Sequence, residues 1–129
     1  MTLFVCGRCG ARLTANVAEM PLPTAQTEAG PLVPAGRYAT APPPPGDPAQ
    51  RGIVVLNPAD VVHLEPHPES ARSAGCCGPA GGDGWNRRCR CGADVAVLAA
   101  DCWQAAEVRL NPGLTRRARG PAPRGPVLR

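Results

Sequence analysis

Apolar positions along this 129-residue chain come in short runs cut apart by proline and glycine, a pattern of strands and loops. Leu3-Phe4-Val5 reads as a strand, then comes a turn at Cys6-Gly7-Arg8-Cys9-Gly10 and a second strand at Ala11-Arg12-Leu13-Thr14. After Gly52, the four branched residues Ile53-Val54-Val55-Leu56 fit a buried strand better than a helix. Asn57-Pro58 turns the chain, and Ala59-Asp60-Val61-Val62 forms either one helical turn or a second short strand before Pro66 and Pro68 end it. Val95 and Val97 share one face by alternation within 93–98, and Val108-Arg109-Leu110 makes a further short strand.

The intervals are equally telling. Nine prolines fall between positions 19 and 50, Pro42-Pro43-Pro44-Pro45 among them, which predicts an extended insert or linker with a short extended piece around Tyr38. Glycine dominates 70–85, a loop unless a ligand organises it. The organisation expected is a first knuckle at 1–18, a proline-rich insert at 19–51, a block of strands, central cysteine loop and second knuckle at 52–110, and a disordered arginine-rich tail at 111–129. The fold class is small and mostly β: zinc-ribbon-like β-hairpins around a cysteine metal site, with long irregular Pro/Gly-rich segments.

Composition limits the core this pattern can build. With 17 prolines, 15 glycines and only Phe4, Tyr38, Trp85 and Trp103 as aromatics, much of the apolar fraction is alanine, which buries little area. A bound metal would supply stability that so small a core lacks. All 14 basic residues are arginine. Residues 1–108 hold eight of them against all ten acids, and 109–129 hold six with no acid, so the net +4 belongs to the tail. Arg116-Arg117-Ala118-Arg119 with Arg124 and Arg129 can pair with phosphates, although a lysine-free, Ala/Gly/Pro-rich chain also suits a GC-rich genome with an untethered terminus.

Seven cysteines, at 6, 9, 76, 77, 89, 91 and 102, carry the candidate chemistry. The first five residues make no secretory leader, and no run approaches a membrane span, so a cytoplasmic chain with reduced thiols is expected. There, clustered cysteines are ligands more often than bridges, and the odd number opposes full disulfide pairing. Cys6 and Cys9, two residues between them, supply half of a tetrahedral zinc site. Cys89 and Cys91 are the first choice for the other half, because residues two apart point the same way from extended backbone and Gly92 follows as Gly10 does. Cys-x-Cys is tighter than the usual spacing, which leaves open that only Cys91 ligates and another cysteine completes the set. Cys76, Cys77 and Cys102, with His67 or His63, form a second zinc site, substitute in the first, or pack as free thiols. A vicinal Cys76–Cys77 bridge would be strained, since adjacent α-carbons are about 3.8 Å apart.

Gly75-Cys76-Cys77-Gly78, Asp83-Gly84, Asn86-Arg87, Cys89 with Cys91-Gly92-Ala93, and Asp101-Cys102-Trp103 together resemble a family of small, cysteine-rich, zinc-ribbon-like proteins frequent in actinobacteria. Cys6-Gly7-Arg8-Cys9-Gly10, the Gly52-Ile53-Val54-Val55 strand and Pro66-His67-Pro68 extend the likeness, over about 3–14 and 52–110. The resemblance implies a shared fold and no reaction.

Catalysis has weak support in the spacing. Cys76 or Cys77 near Arg87, Arg88 and Arg90 is a candidate low-pKa thiolate with His67 as base, but there is no phosphate loop, paired-carboxylate motif or His-Glu-x-x-His helix. His63 reads as a strand or turn residue and His67, between prolines, as a surface one. Trp103 is expected to cover the ribbon's apolar face, and Trp85 to cap the metal or make an exposed contact. The function expected is a zinc-binding, non-enzymatic module for a protein partner, remote from the membrane. The alternatives are a nucleic-acid-binding ribbon using the arginine tail, and a thiol redox sensor at Cys76/Cys77.

Overall fold

The computed structural model describes residues 1–24, 30–42, 52–102 and 104–120. Their strands are β1 (Thr2–Cys6), β2 (Ala18–Glu19), β3 (Gly30–Pro31), β4 (Arg37–Ala41), β5 (Ile53–Leu56), β6 (Glu65–Pro66), β7 (Arg87–Arg88), β8 (Asp94–Ala99), β9 (Ala105–Leu110) and β10 (Thr115–Arg119). Short 3-10 turns at Pro58–Asp60 and Ser70–Ser73 interrupt them, and no α-helix occurs among the described residues. The small, mostly β fold read from the sequence is what forms. Among the described residues no helix is long and apolar enough to cross a membrane.

The main sheet runs β2-β4-β5-β9-β8-β7-β6, with β3 pairing parallel to β9. Its centre is β5, β9 and β8, joined antiparallel. In β5 both Val55 and Leu56 are fully buried, and because successive side chains alternate they serve different clusters. Leu56 joins the principal core with Phe4, Leu13, Val17, Tyr38, Val95, Val108 and Leu110, while Val55 packs with Val33 and Ala39. A strand covered on both faces needs the unbroken apolar run that Ile53–Leu56 provides.

β1 lies outside this sheet. Its partner is β10, antiparallel over five residues from Thr2↔Arg119 to Cys6↔Thr115. The expected disordered tail is therefore wrong for 111–120; residues 121–129 lie outside the described part. What orders Thr115–Arg119 is an available edge: Arg117 stands opposite Phe4, and its guanidinium carbon lies 5.8 Å from the Phe4 ring centre and 5.5 Å from that of Tyr38. The two rings meet edge to face at 5.2 Å. Arginine takes the place of an apolar cross-strand neighbour, which hides the strand from hydrophobic patterning. Arg117→Ala is expected to cost about 1 kcal/mol, read as a lower urea midpoint, with less loss in Arg117→Lys.

The segment 11–14 returns beside β1 as predicted, but as a brace. Leu13 N–H donates to Phe4 O at 2.9 Å, Phe4 N–H donates to Thr14 Oγ1 at 3.0 Å, and Val62 N–H donates to Leu13 O at 2.8 Å. Thr14 and Leu13 are fully buried, so this brace bonds to the turn after β5. Of the helical turn or short strand expected at 59–62, a 3-10 turn forms over Pro58–Asp60 and Val61 makes only an isolated bridge to Thr14; Pro58 opens the turn and Asn57 Oδ1 accepts from Ala59 N–H at 2.8 Å.

The expected linker at 19–51 needs correction too. Its described part contributes β4, which pairs with β5 from Tyr38↔Leu56 to Ala41↔Ile53, and buries Val33, Tyr38 and Ala39. Pairing satisfies the backbone donors that a linker would leave to water, and the few large side chains here are spent on the core. Residues 25–29 and 43–51, including Pro43-Pro44-Pro45, lie outside the described residues.

Candidate metal centre

Two turns separated by most of the chain meet at the floor of the principal core. Cys6 ends β1, Cys9 follows in the turn, and Cys89 and Cys91 lie between β7 and β8. Cys6 Sγ is 3.6 Å from Cys91 Sγ and Cys9 Sγ is 3.5 Å from Cys89 Sγ, and all four sulfurs lie within 4.8 Å of one another. Ligands about 2.3 Å from a tetrahedral centre stand about 3.8 Å apart, close to the two short sulfur separations of 3.6 and 3.5 Å. Each turn gives one buried sulfur, Cys6 or Cys89, and one exposed, Cys9 or Cys91. The four can hold a metal ion.

The turns share a backbone design. In the first, Cys6 N–H donates to Ala11 O at 2.8 Å and Gly10 N–H donates to Cys6 O at 2.9 Å. In the second, Cys89 N–H donates to Ala93 O at 3.0 Å and Gly92 N–H donates to Cys89 O at 2.8 Å. The second loop is thus the first shortened by one residue, which is how Cys-x-Cys serves where Cys-x-x-Cys is usual. Gly10 and Gly92 have φ of 79° and 90°, left-handed values that disfavour a side chain. Gly7 N–H donates to Leu114 O at 2.8 Å, tying the first turn to the β9–β10 connection.

Amides and neighbouring sulfurs split the thiol acidities. Burial pushes the Cys6 thiol up, but the N–H groups of Cys9 and Arg8 and the thiols of Cys91 and Cys9 outweigh it and hold Cys6 at about 7. Burial raises Cys89, the Cys91 N–H opposes it, and the thiols of Cys9, Cys6 and Cys91 raise it further, to about 12. An ion bound by these thiols would displace the Cys89 proton, so its binding would release protons and tighten as pH rises. The apparent affinity is expected to climb at least about tenfold per unit from pH 6 to 8, measured by competition with a chromogenic chelator. A flat profile would show that Cys89 is not displaced.

Cys76, Cys77 and Cys102 form a separate group, all exposed, with their sulfurs within 4.8 Å of one another. The thiol of Cys77, slight burial, the charge of Cys77 and the Asp101 carboxylate push Cys102 up to about 12. The group contains neither histidine. His67 is buried, correcting its placement at the surface: His67 N–H donates to Asn86 O at 2.9 Å, which continues the β6–β7 pairing inward. Its Nδ1 accepts from Glu69 N–H at 2.9 Å, and its Nε2 lies 3.2 Å from Arg88 Nη2, next to the Arg88–Asp94 ion pair of 2.9 Å. His63 is exposed with its Nδ1 3.3 Å from Arg12 O. Trp85 is half-buried at the loop edge, its carbonyl accepting from Arg72 Nη1 at 3.3 Å, and Trp103 lies outside the described residues.

Residue types alone gave little notice of the polar groups that hold these loops. Asn86 is fully buried and pairs with both backbone groups of Leu98, and Asn111 Nδ2 donates to Asp94 O at 2.9 Å. Asp101 is 3% exposed and accepts from the amides of three cysteines. An acid directly before Cys102 was the available signal. The chain matches no known family, no curated protein and no solved structure.

Proposed function

We propose that the chain is a zinc-binding, non-enzymatic module of zinc-ribbon type whose folded surface serves a protein partner. The observation that supports it is the spacing of Cys6, Cys9, Cys89 and Cys91, four thiols within 4.8 Å of one another, close enough to share one metal ion. Four soft thiolates in that arrangement suit Zn²⁺, a d¹⁰ ion with no geometric demand of its own and no redox chemistry to manage. With four protein sulfurs the ion has no position left for a substrate. Its work is then to hold the two turns together, and what the domain offers others is its surface.

Protein purified without added metal is expected to carry zinc by elemental analysis and native mass spectrometry, and Cys9→Ser, an exposed position, to lose it from this site. Iron in place of zinc would overturn the choice of ion, and a Cys9→Ser protein with unchanged metal content would overturn the site.

A second reading, nucleic-acid binding, draws on β10. Arg116, Arg117 and Arg119 are exposed on an ordered strand and pair with no carboxylate among the described residues. Binding to a fluorescent single-stranded oligonucleotide would then fall steeply with salt, and replacing all three arginines with alanine would lower the salt slope by about two to three. Unchanged anisotropy at low salt would sink this reading and leave the protein-partner one standing.

A further inference from the structure

Cys76, Cys77 and Cys102 are built into a site of a different kind. Neighbouring cysteines on extended backbone point to opposite faces, so a vicinal pair does not converge on a third thiol without help. Here the help is the buried Asp101 carboxylate. Its Oδ1 accepts from Cys77 N–H at 2.9 Å and Cys102 N–H at 2.8 Å, and its Oδ2 accepts from Cys76 N–H at 3.1 Å. One side chain thereby anchors the backbone of all three cysteines.

The surrounding loop is equally committed. A side chain at Gly75 would collide with the carbonyl oxygen of Gly78, and a Cβ on Gly78 would stand 2.9 Å from Ala100 O. Ala80 N–H donates to Ala74 O at 2.9 Å, Ala100 N–H donates to Pro79 O at 2.8 Å, and Gln104 Nε2 donates to Ala80 O at 2.9 Å. These contacts close the glycine-rich segment on itself and on the end of β8.

We propose that Cys76, Cys77 and Cys102 bind a second, exchangeable zinc ion through three thiolates, with the fourth coordination position open to solvent and to an external thiol or imidazole. Three sulfurs within 4.8 Å suit one ion at about 2.3 Å from each. No fourth histidine, cysteine or carboxylate joins the group among the described residues; Asp101 accepts from the three amides and also lies in hydrogen-bond reach of the Cys102 thiol. All three cysteines are exposed, whereas the four-sulfur site buries two of its own. An ion satisfied by three ligands has no use for an open side; zinc, which prefers four, takes the last from solution. Binding converts three thiols and Zn²⁺ into a trithiolate complex carrying one water and releases three protons to solvent, with no change of oxidation state. The alternative fate of these thiols is a Cys77–Cys102 disulfide, since the vicinal pair cannot close without strain.

This site shares no residue with the four-sulfur one, so either reading fails alone. The test is a Co²⁺ and Zn²⁺ titration of the reduced full chain, followed by native mass and visible absorption. Two ions are expected, one of them surrendered at least tenfold faster to a chromogenic chelator. Imidazole should shift the ligand-field bands of that ion only. Cys102→Ser should remove it and keep the other, whose absorption reports that the fold persists, and Asp101→Asn, which replaces one acceptor oxygen by a donor, should weaken it at least tenfold. In the unaltered chain, zinc should protect Cys76, Cys77 and Cys102 together from iodoacetamide. A single ion per chain, a second ion that survives Cys102→Ser, bands indifferent to imidazole, or alkylation of the three thiols unaffected by zinc would each overturn the proposal, as would a Cys77–Cys102 disulfide that persists under reducing purification.

Discussion

Cys89→Ser, or chelation of the native protein, is expected to abolish the folded state outright. Cys6 and Cys89 are constituents of the principal core, packed with Phe4, Leu13, Val95 and Leu110. The sulfur pairs they help to form span 80 and 85 residues of sequence. Holding the ends of a loop of that length costs about 4 kcal/mol in chain entropy, which the binding of the proposed ion would offset. Structural zinc in small domains contributes about 10–16 kcal/mol of apparent binding free energy at neutral pH, as much as or more than a domain's whole net stability of about 5–15 kcal/mol. Without the ion, two buried thiols and their neighbours keep only a modest apolar cluster, built from a chain with four aromatic residues. Amide dispersion in a proton–nitrogen correlation spectrum should collapse on chelation and return when zinc is restored. Retained dispersion in the metal-free protein, or in Cys89→Ser, would show that the core stands unaided and that the ion is an accessory.

Asn86→Ala is expected to destabilise the zinc-loaded protein by about 3 kcal/mol, a loss confined to one side chain with no bearing on the metal ligands. Asn86 is fully buried; its Nδ2 donates to Leu98 O at 3.0 Å and its Oδ1 accepts from Leu98 N–H at 2.7 Å. The amide thus imitates a strand neighbour for β8 just where the β7 ladder runs out. Alanine would strip both backbone groups of these partners in a site closed to water, at about 1–3 kcal/mol for each unsatisfied group. Asn86→Asp should be no better, because a carboxylate accepts from Leu98 N–H but turns a second acceptor toward Leu98 O. Urea unfolding at fixed free zinc measures both. A midpoint within the error of the parent for Asn86→Ala would mean that the local backbone finds other partners at no cost.

The strands that could be read in advance are those with apolar runs or clear alternation: β1, β5, β8 and the apolar end of β9. They bury Val5, Leu56, Val95, Val108 and Leu110, whereas Ile53, Val54 and Val97 of the same runs are only partly covered. β10 escaped because its residues Thr-Arg-Arg-Ala-Arg show no apolar period; its order comes from the β1 ladder and from stacking of Arg117 on Phe4 and Tyr38. β4 shows in the sequence only as a short extended piece around Tyr38 within a linker, because proline surrounds it; prolines before and after a strand do not forbid its five residues from pairing. His67 misled for a similar reason: its proline neighbours suggested exposure, and the backbone bond to Asn86 carries it inside.

The candidate site divides along the same line. The pairing of Cys6 with Cys9 and of Cys89 with Cys91 is local, written in spacers of two residues and one and in the glycine that follows each, because short covalent connections restrict where neighbouring sulfurs can point. That the two pairs share one tetrahedron, that Cys102 joins Cys76 and Cys77, and that Asp101 gathers all three amides are decided by tertiary structure. Apart from the Asp101–Cys102 contact between chain neighbours, these contacts join residues 24 to 85 positions apart, and a flexible chain permits many alternative partners at nearly the same loop entropy. Only the assembled sheets, one setting β8 between β7 and β9 and the other laying β10 on β1, remove the alternatives.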